Sequence, residues 1–182
     1  LDAAKSFLDA GSKFIHVVDL DGAFEGRIKN LGVIEKICAL GMFVELGGGL
    51  RSEELVKSAF SAGVSRAIIG TKACAQPQFV RDLEKAHPGK IAVGLDAKNG
   101  KLATKGWVEV SEVSPFDLAR ELASGEGGIK TFIYTDIDTD GMMSGPNLDA
   151  QEKMLKLLLP LGGRLIASGG VSSKDDIANL GK

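Results

Sequence analysis

An internal repeat limits what this sequence can fold into more than any other feature. Two groups of residues recur along the chain in the same order, the first at an offset of 117 positions and the second at 121. The pairs are Asp19 and Asp136, Asp21 and Asp138, Asn30 and Asn147, Gly48 and Gly169, Gly49 and Gly170, and Ser52 and Ser173. Conserved order and spacing indicate two diverged copies of one half, each roughly 120 residues long.

The segments between the repeated residues alternate between two kinds of pattern. Helical periodicity is clearest at residues 52–62 and 149–159, and short apolar runs rich in β-branched residues predict strands. The predicted strands are 14–20, 42–46, 66–69, 91–95, 131–137 and 164–167. Strands that alternate with helices are parallel and joined by crossovers, which is the α/β class. With no linker or low-complexity segment, residues 1–182 are interpreted as a single domain.

The repeat favours a TIM-type (βα)8 barrel over a doubly wound sheet. In a complete barrel of about 250 residues, the strand at 66–69 should have a counterpart beyond residue 182, and the strand ending at Asp96 one before Leu1. We therefore expect an incomplete barrel with about six parallel strands, which lacks the first and the last.

Charge and cysteine content narrow the possible partners. A net charge of −2 gives no reason to expect nucleic acid or a membrane surface, and no apolar run is long enough to span a bilayer. Cys38 and Cys74 share no metal-ligand spacing, so both are interpreted as core-facing thiols of a protein in the reducing cytoplasm.

Glycine turns follow two of the predicted strands. Gly48 and Gly49 precede a helix that opens near Ser52, and Gly169 and Gly170 precede one near Ser173. Glycines let backbone N–H groups approach an anion at a helix N-terminus, so each turn is a candidate phosphate cradle. Further residues assigned to the cradles are Arg51, Gly70, Thr71 and Ser168. Two cradles indicate an elongated small molecule with two phosphate groups.

Acidic residues cluster at the predicted strand ends, where such barrels hold their chemistry. Asp96 ends an apolar run and is the candidate proton donor, with Thr135 and Asp140 beside it. The four repeated aspartates at 19, 21, 136 and 138 are interpreted as loop organisers. Trp107, the only tryptophan, follows a predicted hairpin at 100–106 and could stack on a heterocycle or simply pack. No metal is expected, since His and carboxylates form no ligand cluster, and no nucleotide-binding motif is present.

The sequence resembles the isomerase family that acts at the fourth step of histidine biosynthesis. The resemblance rests on His-Val-Val-Asp-Leu-Asp-Gly at residues 16–22, Gly-Gly-Gly-Leu-Arg at 47–51, Gly-Thr at 70–71, Gly-Leu-Asp-Ala at 94–97, Gly-Trp at 106–107, Tyr-Thr-Asp-Ile at 134–137 and Ser-Gly-Gly at 168–170. It implies an Amadori rearrangement of an aminoaldose with a phosphoribosyl group at each end, without a cofactor. Asp96 matches the family's acid, Thr135 and Asp140 its supporting residues, and Trp107 a loop residue that packs on the substrate.

The resemblance also implies what this chain lacks. The family's second catalytic aspartate ends the first barrel strand, so we expect impaired turnover from the chain as it stands. One alternative is a non-catalytic fragment that binds phosphate and forms a homodimer through open barrel edges. Another is the cyclase subunit of imidazole glycerol phosphate synthase, which shares the fold and both cradles but not the motifs at 19–22 and 106–107.

Overall fold

The computed structural model describes residues 1–104 and 107–181, so Lys105, Gly106 and Lys182 lie outside the described part. The chain forms two compact units, Leu1–Ile69 and Gly70–Lys182. Parallel strands alternate with helices in both units. This confirms the α/β class and the pattern of an incomplete TIM-type barrel, while the single-domain interpretation stays a prediction.

The first unit has a parallel sheet of three strands in which β2 pairs with β1 and β3. Its strands are β1 (Phe14–Val18), β2 (Phe43–Gly47) and β3 (Arg66–Ile69), and its helices are α1 (Asp2–Asp9), α2 (Leu20–Glu25), α3 (Leu31–Cys38) and α4 (Glu53–Ser61). One face of the sheet packs on a core of Ala4, Ile37, Met42 and Val44. The strand predicted at 14–20 ends earlier, because Asp19 caps α2 and turns the chain into a helix.

The second unit contains the remaining elements. Its strands are β4 (Ile91–Lys98), β5 (Lys101–Thr104), β6 (Glu109–Val110), β7 (Thr131–Asp136) and β8 (Arg164–Ser168). Its helices are α5 (Thr71–Ala75), α6 (Pro77–Ala86), α7 (Pro115–Ala123), α8 (Leu148–Leu158), a 3-10 turn (Leu159–Leu161) and α9 (Lys174–Leu180). β7 pairs in parallel with β4 and β8, whereas β5 pairs antiparallel with β4 and β6.

Local sequence signals explain where several helices begin. The Ser52 hydroxyl accepts a hydrogen bond from the Leu55 N–H at the start of α4, and Ser173 forms a reciprocal capping box with Asp176 at the start of α9. Pro77 and Pro115 occupy first-turn positions, where a missing N–H costs nothing. No helix among the described residues combines the length and apolar character needed to cross a membrane.

The six predicted strands correspond to β1–β4, β7 and β8. The hairpin predicted at 100–106 overlaps two antiparallel pairs, β4 with β5 across a turn at Asn99 and Gly100, and β5 with β6. Lys105 and Gly106, the last residues of the predicted hairpin, lie outside the described residues.

Candidate active site

Three predicted site residues lie in one row across the second unit. Asp96 on β4 is in register with Thr135 on β7, and Thr135 is in register with Ser168 on β8. Paired residues of neighbouring parallel strands point to the same face of the sheet and lie roughly 5 Å apart. The row therefore brings a carboxylic acid and two hydroxyl groups together near the carboxyl ends of three adjacent strands. Thr135 is buried, whereas Asp96 and Ser168 are partly exposed.

Asp96 lines a small recess. Gly70, Thr71 and Gly94 line it together with Asp96, and so does the thiol-bearing Cys74. Apolar walls come from Leu102, Ala103 and Leu118. The structure thus places the predicted Gly70-Thr71 turn, which begins α5, in the same recess as the predicted proton donor.

Trp107 contacts the predicted acid directly. Its indole Nε1–H donates a hydrogen bond of 2.8 Å to Oδ2 of Asp96. The side chain is 42% exposed, and the backbone has φ +70°, which is unfavourable for a bulky residue with a Cβ. The sequence indicated an exposed aromatic residue on a loop near the site. It gave no sign that the indole binds the Asp96 carboxylate.

Asp140 lies in the loop that follows β7, and its side chain is exposed. Its backbone N–H donates to the carbonyl of Asp136 at 3.1 Å. No contact among the described residues brings its carboxylate to Asp96, so its supporting role stays a prediction.

Both glycine turns have the same left-handed backbone. Gly48 and Gly49 have φ +97° and +76°, and Gly169 and Gly170 have φ +89° and +78°. A Cβ on Gly48 would lie 2.2 Å from the Asp19 carbonyl oxygen. One on Gly169 would lie 2.8 Å from that of Asp136. Glycine is therefore required at these positions by backbone geometry and close approach, whether or not a phosphate binds there.

Arg51 follows the first turn and is exposed. Its Nη2 donates a 2.7 Å hydrogen bond to the carbonyl of Ala23, and its guanidinium lies over Gly26. In this arrangement Arg51 braces the segment that follows α2. A phosphate contact remains a prediction for it.

Asp19 organises the loop after β1, as the sequence indicated. The residue is 3% exposed, and its carboxylate accepts hydrogen bonds from the N–H groups of Gly22, Lys29 and Asn30 and from the Asn30 amide. Burial by itself raises the pKa of Asp19, but these hydrogen bonds outweigh it and the net pKa lies below its ordinary value.

Asp136 has the corresponding contacts after β7. Its Oδ1 accepts from the Asp138 N–H at 3.0 Å, and its Oδ2 accepts from the Asn147 amide at 2.6 Å. Asp21 joins the first of these loops, since its carboxylate accepts from the Asn30 amide. Asp138 links the loop after β7 to the turn after β4, since its carboxylate accepts from the Asn99 N–H. The interpretation of the four repeated aspartates as loop organisers agrees with this geometry.

An ionic row across the strands of the first unit was not predicted; its Glu45 and Arg66 are largely buried, whereas His16 is exposed. His16 Nδ1 lies 3.0 Å from Glu45 Oε1, and Arg66 Nη1 donates to Glu45 Oε2 at 3.1 Å. The three residues are in register across β1, β2 and β3. Burial raises the pKa of Glu45, but the hydrogen bond and charge of His16, with those of Arg66, lower it to a net value below normal. The sequence signal was one titratable residue in each of three strands. Only the strand register shows that these three residues contact one another.

Gln151 was not predicted as a site residue either. It is buried on α8, and its Nε2 donates to the carbonyls of Tyr134 at 3.1 Å and Ser168 at 3.4 Å. It thereby ties together the ends of β7 and β8, which carry Thr135 and Ser168. A polar residue at a helix position where the first copy has Ile34 was the available clue.

Within residues 1–104 and 107–181, no group of three or more His, Cys, Asp or Glu side chains is placed to hold a metal ion.

Comparisons with known proteins cover the whole chain. A family model described as "Histidine biosynthesis protein" matches residues 1–182. The chain is 50% identical over 181 residues to the 1-(5-phosphoribosyl)-5-((5-phosphoribosylamino)methylideneamino) imidazole-4-carboxamide isomerase of Opitutus terrae, covering 100% of this chain and 72% of that protein. It is 47% identical over 182 residues to the isomerase of the same name from Picosynechococcus, covering 99% of this chain and 69% of that protein. The isomerase of this name from Bacillus velezensis is 47% identical over 183 residues, 100% of this chain and 73% of that protein.

Proposed function

The chain belongs to the histidine biosynthesis protein family, and we propose that it catalyses the isomerisation for which its relatives are named. The reaction converts an aminoaldose into an aminoketose and is an intramolecular oxidation and reduction that needs no cofactor. The observation that carries the proposal is the register row of Asp96, Thr135 and Ser168, with Gly70 and Thr71 in the recess around Asp96.

Asp96 is the proposed general acid. Opening the ribose ring requires a proton on the ring oxygen, and a partly buried carboxylic acid at a strand end suits that role. Thr135 lies beside Asp96 in the row and can hydrogen-bond the sugar hydroxyl that becomes the ketone oxygen. Asp140 is the proposed third member of this group, brought in by the loop after β7.

Trp107 has two proposed roles. Its indole N–H binds Oδ2 of Asp96 and leaves Oδ1 to carry the proton that Asp96 gives to the substrate. The exposed face of the indole is the proposed surface on which the imidazole ring stacks.

The two glycine turns are the proposed phosphate sites. One consists of Gly48, Gly49 and Arg51, and the other of Ser168, Gly169 and Gly170. Two sites match a substrate with two phosphoribosyl groups, which is what the names of the relatives describe. The same names support isomerase activity over the cyclase and over a non-catalytic phosphate-binding fragment.

Self-association and location are further parts of the proposal. Phe14 and Val18 are exposed on β1, which supports association through that strand, and sedimentation should then show a discrete dimer. Cys38 and Cys74 are free thiols, which supports action in the cytoplasm.

The central test is conversion of the aminoaldose by the chain and two variants. Asp96→Asn should lower turnover by about 10²–10⁴-fold, the usual effect of removing a general acid. Asp117→Asn removes an exposed carboxylate on α7, where Asp117 pairs with Arg120, and should leave turnover unchanged. Equal rates for Asp96→Asn and the unchanged chain would contradict the role of Asp96.

Binding gives a second readout that does not depend on turnover. Trp107 is the only tryptophan, so its fluorescence reports directly on the Asp96 recess. The aminoaldose should change this fluorescence in a saturable way. A chain that neither converts the aminoaldose nor changes its emission with it would overturn the proposed function.

A further inference from the structure

Gln151 is a buried polar residue that contacts the backbone next to the second glycine turn. It lies on α8 and is only 4% exposed. Its Nε2 donates hydrogen bonds to the carbonyl of Tyr134 at 3.1 Å and to that of Ser168 at 3.4 Å. Ser168 leads directly into the turn formed by Gly169 and Gly170. One side chain therefore links β7 to the residue from which the second glycine turn starts.

The peptide group between Ser168 and Gly169 transmits this contact to the turn. In a planar trans peptide the C=O and N–H groups point in opposite directions. The Ser168 carbonyl oxygen is directed at Gln151 on α8, so the Gly169 N–H is directed away from that helix. A hydrogen bond that holds the carbonyl therefore also fixes the direction of the N–H. This N–H is the first backbone donor of the proposed second phosphate site.

The other end of the Gln151 amide shows that packing alone does not favour this residue. Its Oε1 is buried and has no hydrogen-bond partner within residues 1–104 and 107–181. A buried acceptor without a partner is destabilising. An apolar side chain of similar size would avoid that cost and would fill the same space. What glutamine adds at this position is the pair of hydrogen bonds that it donates to the two strands.

The first copy of the repeat forms its glycine turn without such a contact. The residue that corresponds to Gln151 at the offset of 117 is Ile34, which is 1% exposed and has no side-chain donor. The carbonyl of Gly47, which corresponds to that of Ser168, accepts a 2.9 Å hydrogen bond from the Asp19 N–H. Both turns nevertheless have left-handed glycines. The Gln151 amide is therefore not required to form the turn, and its contact is specific to the second copy.

We propose that Gln151 is a positioning residue of the second phosphate site, where its amide directs the Gly169 N–H toward a phosphate group of the substrate. The inference rests on the proposed function, which assigns the turn of Ser168, Gly169 and Gly170 to phosphate. Gln151 does not itself touch the phosphate, because it lies on α8 and acts through the Ser168 carbonyl. Its loss should therefore weaken phosphate binding at the second turn and leave the first turn unaffected.

Inorganic phosphate is the probe, and NMR follows the backbone amides of both turns during the titration. In the unchanged chain, the amides of Gly169 and Gly170 should shift saturably, as should those of Gly48 and Gly49. Gln151→Met keeps the length of the side chain and removes both donors. It should weaken phosphate binding at the second turn about threefold to tenfold, the range expected for one lost hydrogen bond, with the first turn as internal reference. In turnover, the KM for the aminoaldose should rise while kcat changes little.

The matched control is Met154→Leu, which exchanges another fully buried side chain of α8 without removing a donor. It should bind phosphate at both turns like the unchanged chain. Circular dichroism establishes that each variant is folded, and Gln151→Leu takes the place of Gln151→Met if the latter does not fold.

The outcomes separate the role of Gln151 from the proposed function. Equal phosphate affinity of the second turn with and without the Gln151 amide, or an equal loss at both turns, would overturn the role of Gln151 and leave the phosphate sites standing. No saturable shift at the second turn of the unchanged chain would overturn the phosphate site proposed there, and the role of Gln151 with it.

Discussion

The two copies of the repeat share their turns and differ in where their polar side chains lie. In both copies an aspartate after a strand accepts a hydrogen bond from the amide of an asparagine eleven residues later: Asp19 from Asn30, and Asp136 from Asn147. In both, a pair of left-handed glycines follows the next strand of the copy, and the first glycine of the pair approaches the backbone of that aspartate. These features are properties of the strand–loop–helix connection.

The two copies differ in which strand positions carry a row of polar side chains. In the second copy, Thr135 and Ser168 are polar and the pair below them, Ile133 and Ile166, is apolar. In the first copy, the corresponding upper pair is Val18 with Gly47, and the lower pair is His16 with Glu45. The turns are therefore alike in both copies, whereas the polar pair lies two residues earlier along the strands in the first copy, which is one step on the same face of the sheet.

The largest expected effect comes from breaking the ionic row of the first copy. Glu45→Ala should lower the free energy of unfolding by about 3–5 kcal/mol, because it leaves the largely buried Arg66 without its anion. Arg66 Nε already has no hydrogen-bond partner within the described residues. Urea unfolding measures the loss. Glu53→Ala, which removes an exposed pair with Lys57, is the control, and an equally small loss in both variants would contradict the importance of the row.

Substituting the first glycine of each turn should give the next largest loss of stability. Gly48→Ala should cost about 3 kcal/mol, since a Cβ there would lie 2.2 Å from the Asp19 carbonyl oxygen and the backbone is left-handed. Gly169→Ala should cost less, because the corresponding distance is 2.8 Å. Thermal unfolding of both variants ranks them, and a reversed order would show that the second copy tolerates less change than its geometry indicates.

Substituting the repeated aspartate should also cost more stability in the first copy than in the second. Asp19→Asn should cost about 2 kcal/mol, because an amide replaces a buried carboxylate oxygen that accepts N–H donors. Asp136→Asn should cost less, since Asp136 is partly exposed and accepts fewer hydrogen bonds. Urea unfolding at pH 7 measures both losses.

Asp19 should also make stability depend on pH. Its pKa is lowered in the folded protein from an ordinary value of 3.8, so its contribution is present above that pH and is lost as the pH falls through the lower folded value. Glu45, with a lowered pKa, adds stability of the same sign that is lost below its ordinary value of 4.5. Unfolding free energies measured from pH 7 downward should therefore fall in acid, and the fall should be shallower in Asp19→Asn. An unchanged slope in that variant would assign the acid sensitivity to other groups.

The smallest expected effect concerns Gln151, whose counterpart in the first copy is Ile34. Gln151→Leu removes two hydrogen bonds to the Tyr134 and Ser168 carbonyls but also removes a buried oxygen without a partner. These effects oppose each other, so stability should change by no more than about 1 kcal/mol. If Gln151 positions the ends of β7 and β8, the KM for the aminoaldose should rise while kcat changes little. An unchanged KM would limit Gln151 to packing.

Much of the fold follows from local sequence signals. The six parallel strands, the capped starts of α4 and α9 and the first-turn prolines were all predictable, because periodicity and capping depend on residues close together in the chain. The repeated Asp, Asn and Gly residues were predictable for a related reason: they mark turns whose backbone geometry few other residues can adopt. Boundaries were less certain, as Asp19 shows by ending β1 and starting α2.

What the sequence by itself determined is the α/β class, the twofold repeat, and the position of polar residues at strand ends. Only the tertiary structure decided which of those residues meet. Strand register aligned Asp96 with Thr135 and Ser168, and it joined His16, Glu45 and Arg66, although no local pattern connects them. The hydrogen bond from the Trp107 indole to Asp96 depends likewise on packing. The physical reason is that local patterns encode backbone conformation, whereas contacts between distant residues depend on the relative placement of whole strands and helices.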